Sequence, residues 1–241
     1  MIFALFLLAA APSDPASTVA LRGQNNASTV AQVRAAAERG VRRLIIQSSG
    51  GYREAGVELG EIVLQYEMDV AVDQYCFSAC ASFVFVAAKN RYVSPGGVVG
   101  FHKTSTAYER LAQIHGLQGL GENVSERARR ERALYEARGI DQKLLLDPFI
   151  ATMPTCYQNA VTRAGDERVE VRQRAAFWYP DLAYLRSAGI SDRLEHWPQS
   201  EADLRQRLET LNLGYALAYS YGEPVPVDAG DEILNNVTPC T

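Results

Sequence analysis

The chain has 241 residues, 47% of them apolar, and its 24 lysines and arginines against 28 aspartates and glutamates leave a net charge of -4. That is enough apolar material for one sizeable core and too little positive charge to attract a phosphate backbone, so no nucleic-acid partner is expected. Three scattered histidines and four cysteines show no zinc-ligand spacing, and neither a metal nor a cofactor is expected.

The first eleven residues, MIFALFLLAAA, are apolar and end in small residues ahead of Pro12-Ser13-Asp14-Pro15. They read as the apolar region and cleavage site of a secretory leader over residues 1–17, without its usual positive start. A bilayer needs roughly 20 apolar residues, so a membrane span is not expected. A buried first strand or a misassigned start is the competing reading. Export to the periplasm or the medium would put the cysteines in an oxidising compartment.

Strand-like and helix-like segments then alternate. Val19 to Leu21 is a short strand, and Ser28 to Gly40 carries Val30, Val33, Ala36 and Ala37 at helical spacing. Arg43 to Gln47 is a buried strand closed by Ser48-Ser49-Gly50-Gly51, Ala55 to Tyr66 is helical again, and Val70 to Val72 is a third strand. Cys80 to Ala88 reads as a buried helix. This order implies parallel strands with helical crossovers, whose sites form at the carboxyl ends of the strands. Gly50-Gly51 and Ser78 both fall at such ends.

Two turns therefore carry chemistry. A Gly-Gly turn lets backbone N–H groups swing toward a carbonyl oxygen, although a Gly pair after a strand is more often only a tight turn. Ser78 lies in CFSAC, between a strand and an apolar run, with small residues two before and two after it. A nucleophile elbow needs this pattern, because strand and helix backbones approach closely there. A helix-capping serine would look the same locally. Downstream, Arg91-Tyr92-Val93 and Val98-Val99-Gly100-Phe101 read as strands, with His102 closing the second. A base, a nucleophile and an anion site at neighbouring strand ends favour the catalytic reading. An imidazole base predicts activity falling below about pH 6 to 7.

With these residues in view, the chain resembles the Clp protease proteolytic subunit and its relatives in the Clp/crotonase fold, especially exported Clp-like proteins of bacteria. The resemblance is carried by LIIQSSGG at Leu44 to Gly51, CFSACASFVFVAAKNRYV at Cys76 to Val93, VVGFH at Val98 to His102 and FWYPDLAYLRSAGISDRL at Phe177 to Leu194. It implies an α/β fold, a Clp/crotonase-like spiral of ββα units over residues 18–194 with a mostly parallel sheet, followed by a C-terminal extension over 195–241. It further implies Ser78 as nucleophile, His102 as base, and the Gly51 and Ala79 N–H groups as oxyanion hole. The family's aspartate follows a long helix, here Ser125 to Arg138, and Asp147 falls nearest its place. Asp141 lies close by, at a helix N-cap position.

The function expected is an exported serine hydrolase of peptidase type, acting on a peptide or a small acyl ester. The alternative is a non-catalytic exported module of the same fold that binds a peptide or partner protein. An ATPase partner is not expected outside the cell, and a homo-oligomer is among the assemblies the resemblance allows. Cys76 and Cys80 at the two close-approach positions of the elbow are either disulfide-bonded or small buried thiols. If the first pair bonds, Cys156 and Cys240 form the second by elimination. The run Glu126 to Arg132 mixes both signs and reads as a solvated helix face.

Overall fold

The computed structural model describes residues 17–117, 122–161, 167–192, 194–223 and 227–240, so the expected leader lies outside it except for Ser17. Four strands run through the principal sheet in the order β1 (Thr18–Arg22), β2 (Arg43–Ser48), β3 (Asp69–Phe77) and β4 (Arg91–Val93). The first half of β3 pairs with β4, and its second half pairs with β5 (Val98–Gly100) on the same side. Every pairing in this sheet is parallel. Parallel strands need crossovers, supplied here by α1 (Ala27–Glu38) and α2 (Arg53–Gln65). The fold is thus α/β with a mostly parallel sheet and helical crossovers, as expected.

The sequence explains these elements. Val30, Val33, Ala36 and Ala37 are the buried stripe of α1, whose first turn is capped by the Asn26 side chain accepting from Ser28 and Thr29 N–H. The alternation in β2 buries Leu44, Ile46 and Ser48, and Val70 and Val72 of β3 pair with Leu44 and Ile46 on the same buried face, with the small Ala71 between them also buried. After β3 the chain turns into a buried π-helical segment, Cys80–Phe85.

Two helices follow, α3 (Ser105–His115) and α4 (Glu122–Ala137), then the short α5 (Asp147–Ala151). The segment after Thr104, whose polar residues read in the sequence as a connection up to Asn123, is helical over Ser105–His115. Thr104 caps it, and Ala107, Tyr108, Leu111 and Ala112 bury one face. The arginines of α4 are not merely solvated: Arg127 pairs with Glu54 at 3.1 Å, Arg130 with Glu61 at 2.7 Å, and Arg132 with Glu109 at 2.7 Å. They dock α4 onto α2 and α3.

Strands β6 (Pro154–Val161) and β7 (Glu167–Gln173) form an antiparallel hairpin. The chain then runs through β8 (Phe177–Tyr179), α6 (Leu182–Ser187), α7 (Glu201–Thr210), β9 (Tyr219–Tyr221), α8 (Val227–Asn235) and β10 (Thr238–Pro239). The C-terminal stretch packs on the body, since β9 pairs with β8 and β10 with β6. Among the described residues no helix is long and apolar enough to cross a membrane.

Candidate active site

The site is built from the ends of β2, β3 and β5. Ser78 follows the last residue of β3 and adopts φ of 54°, a left-handed backbone that a serine rarely holds. Its N–H donates to the Gly100 carbonyl at 2.9 Å, and its own carbonyl accepts from Ser82 N–H at 2.9 Å. One backbone thus ends a parallel ladder and opens a helix, which turns the serine side chain out of the sheet. A Cβ on Gly56 of α2 would lie 2.6 Å from Ala79 Cβ, and one on Gly50 would lie 2.8 Å from Ser78 Cβ. Only small residues let these backbones approach so closely. Cys76 and Cys80 flank the turn as a disulfide with Cα atoms 5.3 Å apart, so the bonded reading holds.

The Gly-Gly turn lies beside the elbow. Gly51 has φ of 132°, and its neighbours are pinned by Asn25, whose N–H donates to Gly50 O at 2.6 Å and whose carbonyl accepts from Tyr52 N–H at 3.0 Å. Buried Ser48 accepts from Gly50 N–H at 3.1 Å and donates to Asn25 Oδ1 at 3.0 Å. Asn25 and Ser48 are polar supports that sequence reading missed. Among the described residues, neither the Gly51 nor the Ala79 N–H donates to a backbone carbonyl.

A cleft of about 690 Å³ opens here, lined by Gly51, Ser78, Ala79 and His102 among others. Four of the expected site residues therefore meet in one cavity. His102 follows β5 by two residues, and its ring lies 5.5 Å from that of Phe177. No hydrogen bond joins Ser78 Oγ to the imidazole among the described contacts. In ligand-free enzymes such bonds are often long and tighten only with substrate. Burial first, then the Lys103 and Arg53 cations, push the His102 pKa down to about 3, and a hydrogen bond with the Gln173 side chain opposes this. Gln173 Nε2 donates to Thr152 Oγ1, which leaves the amide oxygen to accept from His102.

Asp147 is placed differently. It is buried and accepts a hydrogen bond from the Tyr184 hydroxyl, and it does not line the cleft. Burial raises its pKa against the lowering effect of that hydroxyl. Asp141 caps the turn Gln142–Leu145 through Lys143 N–H. The partner of His102 is an amide on β7, for which the sequence carried no signal, since nothing local marks a Gln that faces a distant imidazole. Cys156 and Cys240, the remaining pair, are disulfide-bonded with Cα atoms 5.0 Å apart. Among the described residues no group of His, Cys, Asp or Glu could hold a metal ion.

No protein-family model matches the sequence, and no curated protein matches it. Among solved structures, the chain is similar to ClpP1 from Listeria monocytogenes at 21% identity, covering 52% of this chain and 73% of that one with a TM-score of 0.38. A mutant of the same protein aligns at 20% identity over 54% and 77%, also with a TM-score of 0.38. A mutant of the 1510-N membrane-bound stomatin-specific protease aligns at 16% identity over 47% and 67%, with a TM-score of 0.32. Overlays this loose say nothing of chemistry.

Proposed function

We propose that the protein is an exported serine hydrolase that cleaves peptide or ester carbonyls, with Ser78 as nucleophile and His102 as base. The observation that carries this reading is the left-handed backbone of Ser78 at a parallel strand end, facing the cleft that also holds His102. Strain of about 1–3 kcal/mol at a non-glycine residue persists where surrounding structure enforces it, and such residues cluster at functional sites.

In this mechanism Ser78 Oγ attacks the carbonyl carbon while its proton passes to the neutral imidazole of His102. The Gly51 and Ala79 N–H groups, free of backbone partners, receive the developing oxyanion. The imidazolium then protonates the leaving amine or alcohol, and water attacks the acyl-enzyme with His102 again accepting the proton. Gln173 fixes the ring orientation, the role expected of Asp147, but as an amide it adds no negative charge. Two bonded cysteine pairs support an oxidising compartment, in keeping with export.

Labelling with a fluorophosphonate probe followed by peptide mapping tests the reading. Modification of Ser78 in the native chain, lost in Ser78→Ala, is expected. No labelling of folded, oxidised protein would instead indicate a non-catalytic module that binds a peptide or partner.

A further inference from the structure

The cleft is basic within an acidic chain. Arg53, Lys103, Arg127 and Arg172 line it, against one carboxylate, Glu170, which is itself partnered. Arg127 is held by Glu54. Arg53 and Lys103 have no such partner: among the described residues, neither has a carboxylate within ion-pair distance. Both lie against the ring of Tyr108, with the Arg53 guanidinium 5.2 Å and the Lys103 ammonium 5.9 Å from its centre. Among the described residues, the Lys103 ammonium has in addition only the Val171 carbonyl, at 3.5 Å.

The carboxylate that acts on Arg53 is that of Glu131, and it is already used. Glu131 is fully buried and accepts from Ser105 N–H at 2.9 Å, Thr106 N–H at 2.8 Å and the Thr106 hydroxyl at 2.9 Å. Desolvation accordingly dominates at Arg53 and lowers its pKa. A cation partly withdrawn from water without a counter-ion carries a desolvation cost, which an arriving anion offsets. A guanidinium is suited to a carboxylate, which it can grip through two parallel hydrogen bonds.

We propose that the cleft takes a substrate carrying a carboxylate close to the scissile carbonyl, and that Arg53 and Lys103 bind that carboxylate. The proposal rests on the hydrolase reading of Ser78. It also explains how a base held in a cationic cavity becomes effective: the same two cations act on His102, and a bound carboxylate neutralises them. Substrate then completes the electrostatics of the site that cleaves it.

Two p-nitrophenyl esters with the same leaving group test this, the neutral butyrate and the anionic hydrogen glutarate. At low ionic strength kcat/KM for the glutarate ester should exceed that for the butyrate by about tenfold or more, and the ratio should fall toward one in Arg53→Gln and in Lys103→Met. A ratio at or below one in the native chain, with hydrolysis still dependent on Ser78, overturns the inference and leaves the hydrolase standing. If neither ester is cleaved and Ser78 is not labelled, the hydrolase reading fails. Titration calorimetry with glutarate then decides the anion site: binding that is lost in Arg53→Gln supports it, and binding that is absent or unchanged overturns it. Quenched peptides distinguish the source of the carboxylate. A gain for Glu over Gln beside the cleaved bond assigns a side chain, a gain for free over amidated C-termini assigns a chain end, and no gain in either pair counts against the proposal.

Discussion

Ser78 holds a backbone conformation that glycine adopts without cost, and this separates its structural role from its chemical one. Ser78→Gly should be more stable than Ser78→Ala by about 1 kcal/mol, since alanine keeps the strained φ and glycine relieves it. Both variants should lose most activity. Urea denaturation of the two proteins checks the difference, and equal midpoints would mean the turn is not strained. His102→Ala should abolish activity to a similar degree, and the double variant with Ser78→Ala should lose little more, because the proposed mechanism has the two residues act as one unit.

Burial and two cations revise the pH profile expected from an ordinary imidazole. With its pKa near 3, His102 remains neutral across the working range, so kcat/KM should stay flat from pH 8 to pH 5. The stability effect has a matching sign. The folded pKa lies below the ordinary 6.5, so the unfolded chain binds the extra proton first; this contribution is whole above pH 6.5 and is lost as pH falls toward 3. Gln173→Glu would place a carboxylate beside the ring, raise the His102 pKa, and should bring an acid limb into view between pH 5 and 7. A limb already there in the native chain would show that His102 is less shielded. That Ser78 and His102 come together beyond neighbouring strand ends was legible in the sequence, because each follows a strand in a local pattern. Gln173, Arg53 and Lys103 were not, because their meaning lies in side chains that only the tertiary fold brings together.

Elements meet around the elbow by close backbone approach. Gly56 and Gly60 face the π-helical segment from α2, where added Cβ atoms would lie 2.6 Å from Ala79 Cβ and 2.8 Å from the Phe83 carbonyl. Alanine within a helix usually gains about 1 kcal/mol over glycine. At Gly56 that gain should be outweighed by overlap with a rigid neighbour, giving a net loss of about 1–2 kcal/mol and a fall in activity as Ala79 shifts. Thermal unfolding of Gly56→Ala measures the sign, and a stabilised, fully active variant would refute the close approach. The strand-helix alternation through β3 was readable because apolar periodicity and Gly turns are local signals. Helix α3 was missed although Thr104 and the spacing of Ala107, Tyr108, Leu111 and Ala112 announced it, because polar residues between them dilute the pattern. The ion pairs of α4 were beyond reach, since a mixed-charge face reads the same whether it meets water or another helix.

Across the whole molecule the two disulfides act on different things. The Cys76–Cys80 bridge closes a loop with a sequence separation of 4, worth about 2 kcal/mol at most by chain entropy, so its main effect is on the geometry of Ser78. The Cys156–Cys240 bridge spans a separation of 84, for which the same reasoning gives about 4–5 kcal/mol. Replacing Cys156 and Cys240 together by alanine should therefore lower the melting temperature more than replacing Cys76 and Cys80, while the second pair of replacements should cost more activity per unit of stability. Calorimetry and ester hydrolysis on the same samples check this ordering.

That second bridge fastens β10 to the hairpin whose strands β6 and β7 supply Gln158, Val169, Val171 and Arg172 to the cleft. One wall of the cavity is thus moored across a sequence separation of 84. Cys240 must therefore be made before that wall can be locked, and its loss would free the wall while leaving Ser78 in place. Ser78 is thus set by neighbours close in sequence, whereas the wall that faces it is fastened only when Cys156 and Cys240 meet.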